Sequence, residues 1–385
     1  MRFFAAFFAT LRAAFSDAGA VLLLLVASLA YSFFYPFPYG SEKVEQVPAA
    51  IVDLDASPLS RQLARLIQAS PQVQAIGYGA DAQAAENALK TGEISGFVLI
   101  PKDFQRDVKL GRKLEVLVAG NAAYPLVSKA LMSGAAGAAG TLSAAVDLRR
   151  FESRRASSRQ ALETAVPVNY IAKPLFNTDE GYGSYVVPGV APLIVQQTLI
   201  IGISLLFGLW TELLRSTTTP LPVRLQKKPV AGFLGLWSAF ALIGFLNTLY
   251  FSGFVFHIQD YPQHPDLVVL FVFAALFALA ISAFGLFLGH VFNERERGMQ
   301  TLLFSSIPML FVTGFPWPTE SQPELIQWLR WIIPSTAGIQ GALAINQLGA
   351  SFAEVRSELF ALALHALVWS LAAYWLFRRR WRASR

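Results

Sequence analysis

The sequence predicts an α-helical polytopic membrane protein with six transmembrane helices and an α/β extracytoplasmic domain inserted between the first and the second. Three observations predict this fold class. Of the 385 residues, 54% are hydrophobic and only 15% are charged, whereas a soluble domain carries about 25% charged residues. Six apolar runs approach the roughly 20 residues that a helix needs to cross a bilayer. A long polar segment separates the first run from the other five.

The first apolar run extends from about Gly19 to Phe34 and is followed by aromatic residues typical of a membrane interface. It is longer than the apolar part of a signal peptide and no clear A-x-A site follows it, so we expect residues 16–39 to remain as the first transmembrane helix. Residues 1–15 are expected to form a cytoplasmic helix lying in the inner interface. The alternative is that the first transmembrane helix begins early and includes them. Four apolar residues of this segment share one line on a helix: Phe3, Phe7, Leu11 and Phe15.

Residues 184–385 contain the other five apolar runs. These are Tyr185–Trp210, Gly232–Phe256, Leu267–Phe292, Leu302–Phe315 and Leu359–Phe377. The run Leu302–Phe315 is short and leads into the sequence Gly314 to Pro318. It is expected to form either a bent span or part of a re-entrant hairpin, which is tolerated only where it packs against protein.

Lys and Arg are unevenly distributed between the two sides of the predicted membrane, and this bias sets the orientation. The loop His257–Asp266 contains neither, and residues 318–358 contain only Arg330 and Arg356. The segments on the opposite side carry Arg2, Arg12, Arg215, Arg224, Lys227, Lys228, Arg295, Arg297, Arg378, Arg379, Arg380, Arg382 and Arg385. Both termini are therefore predicted to be cytoplasmic. The net charge of +6 follows this topology, so we expect contact with membrane lipids and no nucleic-acid partner.

Residues 40–183 form the predicted extracytoplasmic domain, in which short apolar runs alternate with amphipathic helices. The predicted strands are Val47–Leu54, Val73–Tyr78, Gly96–Ile100, Leu114–Ala119 and Val166–Ile171. The predicted helices are Pro58–Ala69, a helix capped by Asp81 that ends at Lys90, Phe104–Leu110, and a long arm from Pro125 to about Ala165. Small residues Gly134, Gly137 and Gly140 give this arm a flat face that suits close packing.

Motifs that carry chemistry are weak in this sequence. No G-x-x-x-x-G-K-[ST] string occurs, so ATP, if it drives the protein, binds to another chain. Asp53, Asp55 and Ser57 superficially resemble a phosphate-transferring motif, but a helix cap formed by Asp55 or Ser57 is the preferred interpretation. Gly77 and Gly79 are interpreted as a tight turn rather than a dinucleotide site. With no cysteine and four scattered histidines, no metal site is predicted.

Polar residues within the predicted spans are costly and need partners. The candidates are Gln196, Gln197, Thr198, Asn247 and Thr248. Two interpretations remain open: bonds between helices, or the lining of a substrate path. Two charged cytoplasmic segments, residues 211–230 and 293–298, are likewise open to two interpretations. They either meet acidic lipid headgroups or form a docking surface for a soluble protein.

The arrangement of one span, a large outer domain and five further spans resembles the type 2 permeases of ABC exporters, in the subgroup with a large domain after the first span. The resemblance covers nearly the whole chain. The strings that support it begin at Val47, Gly96, Pro174, Tyr185 and Pro308, and the last is Ile333-Pro334-Ser335-Thr336. The family implies a bacterial inner-membrane protein that exports a substrate and does not itself catalyse a reaction. The sequence does not identify the substrate.

The resemblance also implies partners and contact residues. The family works with a separate ABC ATPase, which binds ATP and Mg²⁺, and with a second permease that is identical or related; a periplasmic adaptor is a further possible partner. The loop between the second and third spans would couple the permease to the ATPase. The coupling residues implied by this match are Thr211, Glu212, Leu213, Leu214, Arg215 and Arg224. Many members carry an E-R-E-x-G-T-like string in this loop, whereas here Glu294 to Gly298 lies in the next inner loop.

Two other function classes compete with the exporter. A membrane-anchored sensor or scaffold would use the outer domain to bind a ligand, and six spans exceed what anchoring requires. A membrane enzyme would need an acid/base or metal cluster near the interface, and the sequence shows none. A co-purifying ABC ATPase distinguishes the exporter from both.

Overall fold

A break at Asp17 separates the first two helices of the chain. The computed structural model describes residues 2–79, 81–112, 114–153, 174–214, 219–292 and 294–382. Helix α1 is Phe3–Ser16, and α2 is Ala18–Tyr39. Asp17 has an extended backbone, and its carboxylate accepts a hydrogen bond of 2.9 Å from the amide of Ala20. This is the arrangement of a helix N-cap, which ends one helix and begins the next.

The chain divides into two compact units. The helical unit comprises Met1–Glu42 and Pro174–Arg385, and the α/β unit comprises Lys43–Lys173. The elements of the α/β unit are β1 Val47–Asp53, α3 Pro58–Gln68, β2 Val73–Gly79, α4 Ala82–Thr91, β3 Gly96–Ile100, α5 Phe104–Leu110, β4 Leu117–Gly120 and α6 Pro125–Ser153.

The sheet of the α/β unit has the strand order β2-β1-β3-β4. Strand β1 runs parallel to β2 and β3, and β4 runs antiparallel to β3. The main core lies between the sheet and helices α3 and α6, and its fully buried side chains include Ile51, Leu63, Val98 and Leu131. A smaller cluster around Phe97 covers the other face with α4. Buried and partly exposed residues alternate along most of β1, as expected for a strand whose apolar side chains face the core.

The four strands predicted between Val47 and Ala119 all form. Strand β4 begins at Leu117 rather than Leu114, because it pairs only along Gly96–Leu99 of the five-residue β3. The long arm is a helix from Pro125 to Ser153. Its predicted continuation to Ala165 and the predicted strand Val166–Ile171 lie outside the described residues.

Apart from two short 3-10 helices, the described residues of the second part of the helical unit form eight helices. They are α7 Tyr182–Leu213, α8 Leu221–Leu225, α9 Pro229–Ile258, α10 Leu267–Val291, α11 Arg295–Val312, α12 Glu324–Leu329, α13 Pro334–Asn346 and α14 Arg356–Arg382. Helix α7 is central: most of its side chains are buried, and it packs against α9, α10, α11 and α13.

Within the described residues, five helices are long and apolar enough to cross a membrane: α2, α7, α9, α10 and α14. The sequence predicted six. The additional predicted span, Leu302–Phe315, corresponds to α11, which starts at Arg295 and ends at Val312. The apolar part of α11 is shorter than that of the other five helices, because Arg295, Glu296 and Arg297 occupy its first turn. The chain then turns at Gly314, whose φ is +83°.

Candidate functional site

Two adjacent glutamines lie at the centre of the helical unit. Gln196 and Gln197 are buried on α7. The amide of Gln196 donates to the hydroxyl of Ser335 on α13 at 3.2 Å, and that of Gln197 donates to the hydroxyl of Ser306 on α11 at 2.8 Å. Both side-chain carbonyl oxygens, together with that of Asn346, lack a hydrogen-bond partner within the described residues. The glutamines therefore join three helices and retain acceptors that a ligand or water can use.

The other polar residues predicted within the spans contact α2 or their own helices. The Thr198 hydroxyl donates to the carbonyl of Ile194 at 2.9 Å and lies 3.4 Å from the Ser28 hydroxyl of α2. The Asn247 amide on α9 donates to the carbonyl of Leu24 at 3.0 Å. Leu24 belongs to a π-helical turn of α2, Leu22–Val26. Asn247 thus stabilises this turn, and Thr198 lies beside the same helix.

The six predicted coupling residues fall into three groups. Glu212 and Arg224 are exposed. Thr211, Leu213 and Leu214 are half-buried, and Arg215 lies outside the described residues. The Thr211 hydroxyl donates to the Phe207 carbonyl at 2.7 Å and accepts a bond of 2.5 Å from the guanidinium of Arg380 on α14. The polar group of Thr211 therefore holds α7 to α14.

Helix α8 gives the loop between α7 and α9 an amphipathic surface. Leu221 and Leu225 are buried, and α8 packs against α1, α9 and α14. Arg224, Lys227 and Lys228 are exposed beside it. A buried apolar side fixes this short helix in place, while its charged side stays accessible.

An ion pair links the beginning of α2 to the beginning of α11. Both carboxylate oxygens of Asp17 lie 3.1 Å from one guanidinium nitrogen of Arg295, and the side chains are 16% and 31% exposed. Gly208 of α7 permits this approach, because a Cβ there would lie 2.5 Å from the Arg295 backbone nitrogen. Sequence reasoning missed this contact. The available signal was an acidic residue immediately before an apolar helix, which is typical of an N-cap.

Aromatic and acidic residues organise the opposite end of α7. The Tyr185 ring stacks on that of Phe315, with centroids 4.8 Å apart, and its hydroxyl donates to the Phe315 carbonyl at 2.9 Å. The Glu42 carboxylate accepts bonds from the amide of Ser184 at 2.9 Å and from its hydroxyl at 3.2 Å. An anion at a helix N-terminus is stabilised by the helix dipole. These contacts hold the beginning of α7 to the hairpin after α11, which is residues 313–333.

The Asp53–Ser57 segment is a structural cap. Asp53 accepts bonds from the amides of Asp55 and Ala56 and from the hydroxyl of Ser60. Ser57 caps α3, accepting from the amide of Ser60 at 3.1 Å, as predicted. Burial alone raises the pKa of Asp55, but hydrogen bonds from Ser57 and from the backbone amides of residues 103–105 lower it below its usual value. Asp53, Asp55 and Ser57 thus all have structural roles.

The remaining predicted motifs have different outcomes. The tight turn predicted at Gly77 and Gly79 is wrong, because both glycines lie in strand β2 and pair with β1. Asp81 caps α4 by accepting from the amide of Gln83 at 2.9 Å, as predicted. Gly134 packs against Ser70, whereas a Cβ at Gly137 or Gly140 would meet nothing within 4 Å. Among the described residues, no group of three or more His, Cys, Asp or Glu side chains is placed to hold a metal ion.

Comparison with known proteins identifies the family. The model of the family described as ABC-2 family transporter protein matches residues 20–375. The inner membrane transport permease YhhJ of Escherichia coli (strain K12) is 23% identical over 342 residues, covering 86% of this chain and 85% of the relative. The Shigella flexneri protein of the same name gives the same values. The predicted resemblance is confirmed, and since the match spans most of the chain, this protein belongs to the ABC-2 family of transporter proteins.

Proposed function

We propose that this chain is the membrane-spanning permease subunit of an ABC exporter, which moves a substrate outward while a separate ATPase subunit binds ATP and Mg²⁺. The observation that carries the proposal is the family match over residues 20–375, on a chain whose described part has five long apolar helices. The relatives named as inner membrane transport permeases support a bacterial inner-membrane location.

The proposed topology has six crossings and cytoplasmic termini. Helix α11 and the hairpin after it provide the additional crossing, because α11 packs on the buried α7 and the polar groups at its end are bonded within the protein. Positive residues on the N-terminal side of α2 and the C-terminal side of α14 support cytoplasmic ends. The α/β unit then lies outside the cytoplasm.

The proposed ATPase-docking surface is the loop 211–230. Glu212 and Arg224 offer exposed charges of opposite sign to a soluble partner, and the predicted contact Arg215 belongs to the same loop. Thr211, Leu213 and Leu214 transmit movement rather than contact the ATPase, because they are half-buried and Thr211 is bonded to α14. Displacement of α8 would reach α1, α9 and α14 directly.

The proposed substrate path passes the buried glutamines. Gln196 and Gln197 are assigned to this path because their carbonyl oxygens have no partner in the described part of the chain. Thr198 and Asn247 are assigned to the interface with α2, because their side chains contact that helix or their own. Transport then follows two-state logic: ATP biases the equilibrium only as far as its affinity differs between the inward-open and outward-open states.

We further propose that two permeases, identical or related, form the path, and that a periplasmic adaptor can join them. The family resemblance supports a paired permease. The described α/β unit supplies the surface through which an adaptor would act.

Charge reversal tests the docking surface. We expect Glu212→Arg with Arg224→Glu to lose the ATPase on purification and to abolish coupled ATP turnover, with the permease still folded. The matched control is Glu86→Arg with Lys90→Glu, an exposed pair on α4, which should retain both. Undiminished ATPase binding and turnover in the first variant would refute this docking site. A wild-type chain that never binds an ATPase would favour the sensor or scaffold instead.

A further inference from the structure

The α/β unit contains a cavity of about 390 Å³ at one end of its core. It lies between α5, the chain that follows α5, and α6. Its apolar lining includes Leu63 of α3, Phe104 and Val108 of α5, and Leu142 and Val146 of α6. The cavity is partly open to solvent, and ligand sites occupy about 300–1,000 Å³. The cavity therefore has the size of a small-molecule site.

A second cavity of about 370 Å³ is adjacent to the first. Val108 and Val146 line both cavities, and Pro58 and Leu59 of α3 add apolar surface to the second. Together the two cavities are called the α5–α6 groove. The aliphatic side chains shared by the two cavities can accommodate one flexible apolar chain.

Basic residues dominate the charges that line the groove. Lys109, Arg112 and Arg149 contribute three positive charges, and Asp147 contributes one negative charge, so the net charge is +2. The Arg112 side chain is 64% exposed, and its guanidinium lies 3.5 Å from the carboxylate of Asp107. Within the described residues, Lys109 and Arg149 have no ion-pair partner. The polar edge of the groove is therefore complementary to an anion.

We propose that the α5–α6 groove binds a single-chain anionic amphiphile of the fatty-acid type. The alkyl chain lies along Phe104, Leu142 and the two valines, and the carboxylate meets Arg112 and Arg149. This binding is a property of the α/β unit and does not depend on the proposed export function. Each buried methylene tightens binding, so two added methylenes are expected to lower Kd by about tenfold until the groove is filled.

The absence of cysteine from the chain permits a direct binding assay. Ser143 is exposed and lines the first cavity, so Ser143→Cys can carry an environment-sensitive fluorophore. Ala144→Cys, exposed on the same helix but outside the lining, is the matched reporter. The full chain in phosphatidylcholine nanodiscs is titrated with laurate and with dodecyltrimethylammonium. Laurate should give a saturable signal at position 143 alone, with a Kd at least about tenfold below that of the cation.

Two pairs of variants separate the apolar and the charged contributions. Ala139→Phe fills the first cavity and should abolish the signal, whereas Ala136→Phe, exposed on the same helix, should retain it. Arg112→Gln with Arg149→Gln should raise the laurate Kd by about tenfold; the control Arg65→Gln should not. Equal affinity of the wild type for laurate and the cation would overturn the proposal whether or not every variant folds. Binding of laurate by Ala139→Phe with the same Kd as the wild type would also overturn the proposal.

Discussion

The ion pair between Asp17 and Arg295 provides the sharpest prediction of stability. Asp17→Ala removes two interactions at once: the cap on α2 and the pair with Arg295. Loss of a helix cap costs about 1 kcal/mol, and a hydrogen bond to a charged group contributes about 1.5–3 kcal/mol. Since Arg295 is 31% exposed, water compensates part of the loss of the bond to Arg295. We therefore expect the free energy of unfolding to fall by about 2–3 kcal/mol.

A second substitution separates the contribution of the helix cap from that of the ion pair. Asn caps helices about as well as Asp, so Asp17→Asn should keep the cap, lose the charge and lower the free energy of unfolding by about 1–2 kcal/mol. In an Arg295→Gln background, Asp17→Asn should have little further effect. The double-mutant cycle then gives the coupling energy of the pair directly.

The measurement is equilibrium unfolding in mixed micelles with added dodecyl sulfate, followed by tryptophan fluorescence. All eight tryptophans lie in the helical unit, so the signal reports on the part of the protein that holds the ion pair. If Asp17→Ala and Asp17→Asn both stay within about 0.5 kcal/mol of wild type, as ordinary surface substitutions do, the contribution of the pair is refuted.

Three further predictions concern other contacts. Ser57→Ala removes the cap of α3 and should lower the stability of that helix by about 1 kcal/mol; faster hydrogen exchange of the α3 amides checks this, and unchanged exchange contradicts it. Gly189→Ala places a Cβ against the Phe315 ring and should cost about 1–3 kcal/mol. Phe315→Ala should make that change nearly neutral in the micelle assay, and additive effects would contradict the clash. Asn247→Leu should cost about 1 kcal/mol because the bond to α2 is lost. Thr248→Val, which loses only a bond within its own helix, is its control, and equal costs would contradict the assigned role.

Local signals in the sequence predicted most of the secondary structure. Ser57 and Asp81 each precede a helix, and both cap it through their own side chains. Strand β3 was predicted at its observed bounds because an uninterrupted apolar run lies between turn residues. These features depend on residues a few positions apart, which the sequence displays directly.

Contacts between distant parts of the chain were not predictable in the same way. Asp17 and Arg295 are 278 positions apart, and neither pattern nor composition selects one partner among the many basic residues. The start of α11 at Arg295 was missed because its charged first turn resembles a loop. The partners of Gln196 and Gln197 are ordinary serines of α13 and α11. Only the packing of α7 brings these groups together.

The central claim is that this chain works as a permease bound to a separate ATPase. The most direct test is purification of the tagged chain from its native membrane in mild detergent, followed by mass spectrometry of the intact complex. We expect an ABC ATPase in one-to-one ratio with the permease, together with ATP turnover by the complex. A chain that purifies intact from membranes expressing it normally, without any ATPase and without ATP turnover, would contradict the proposed function.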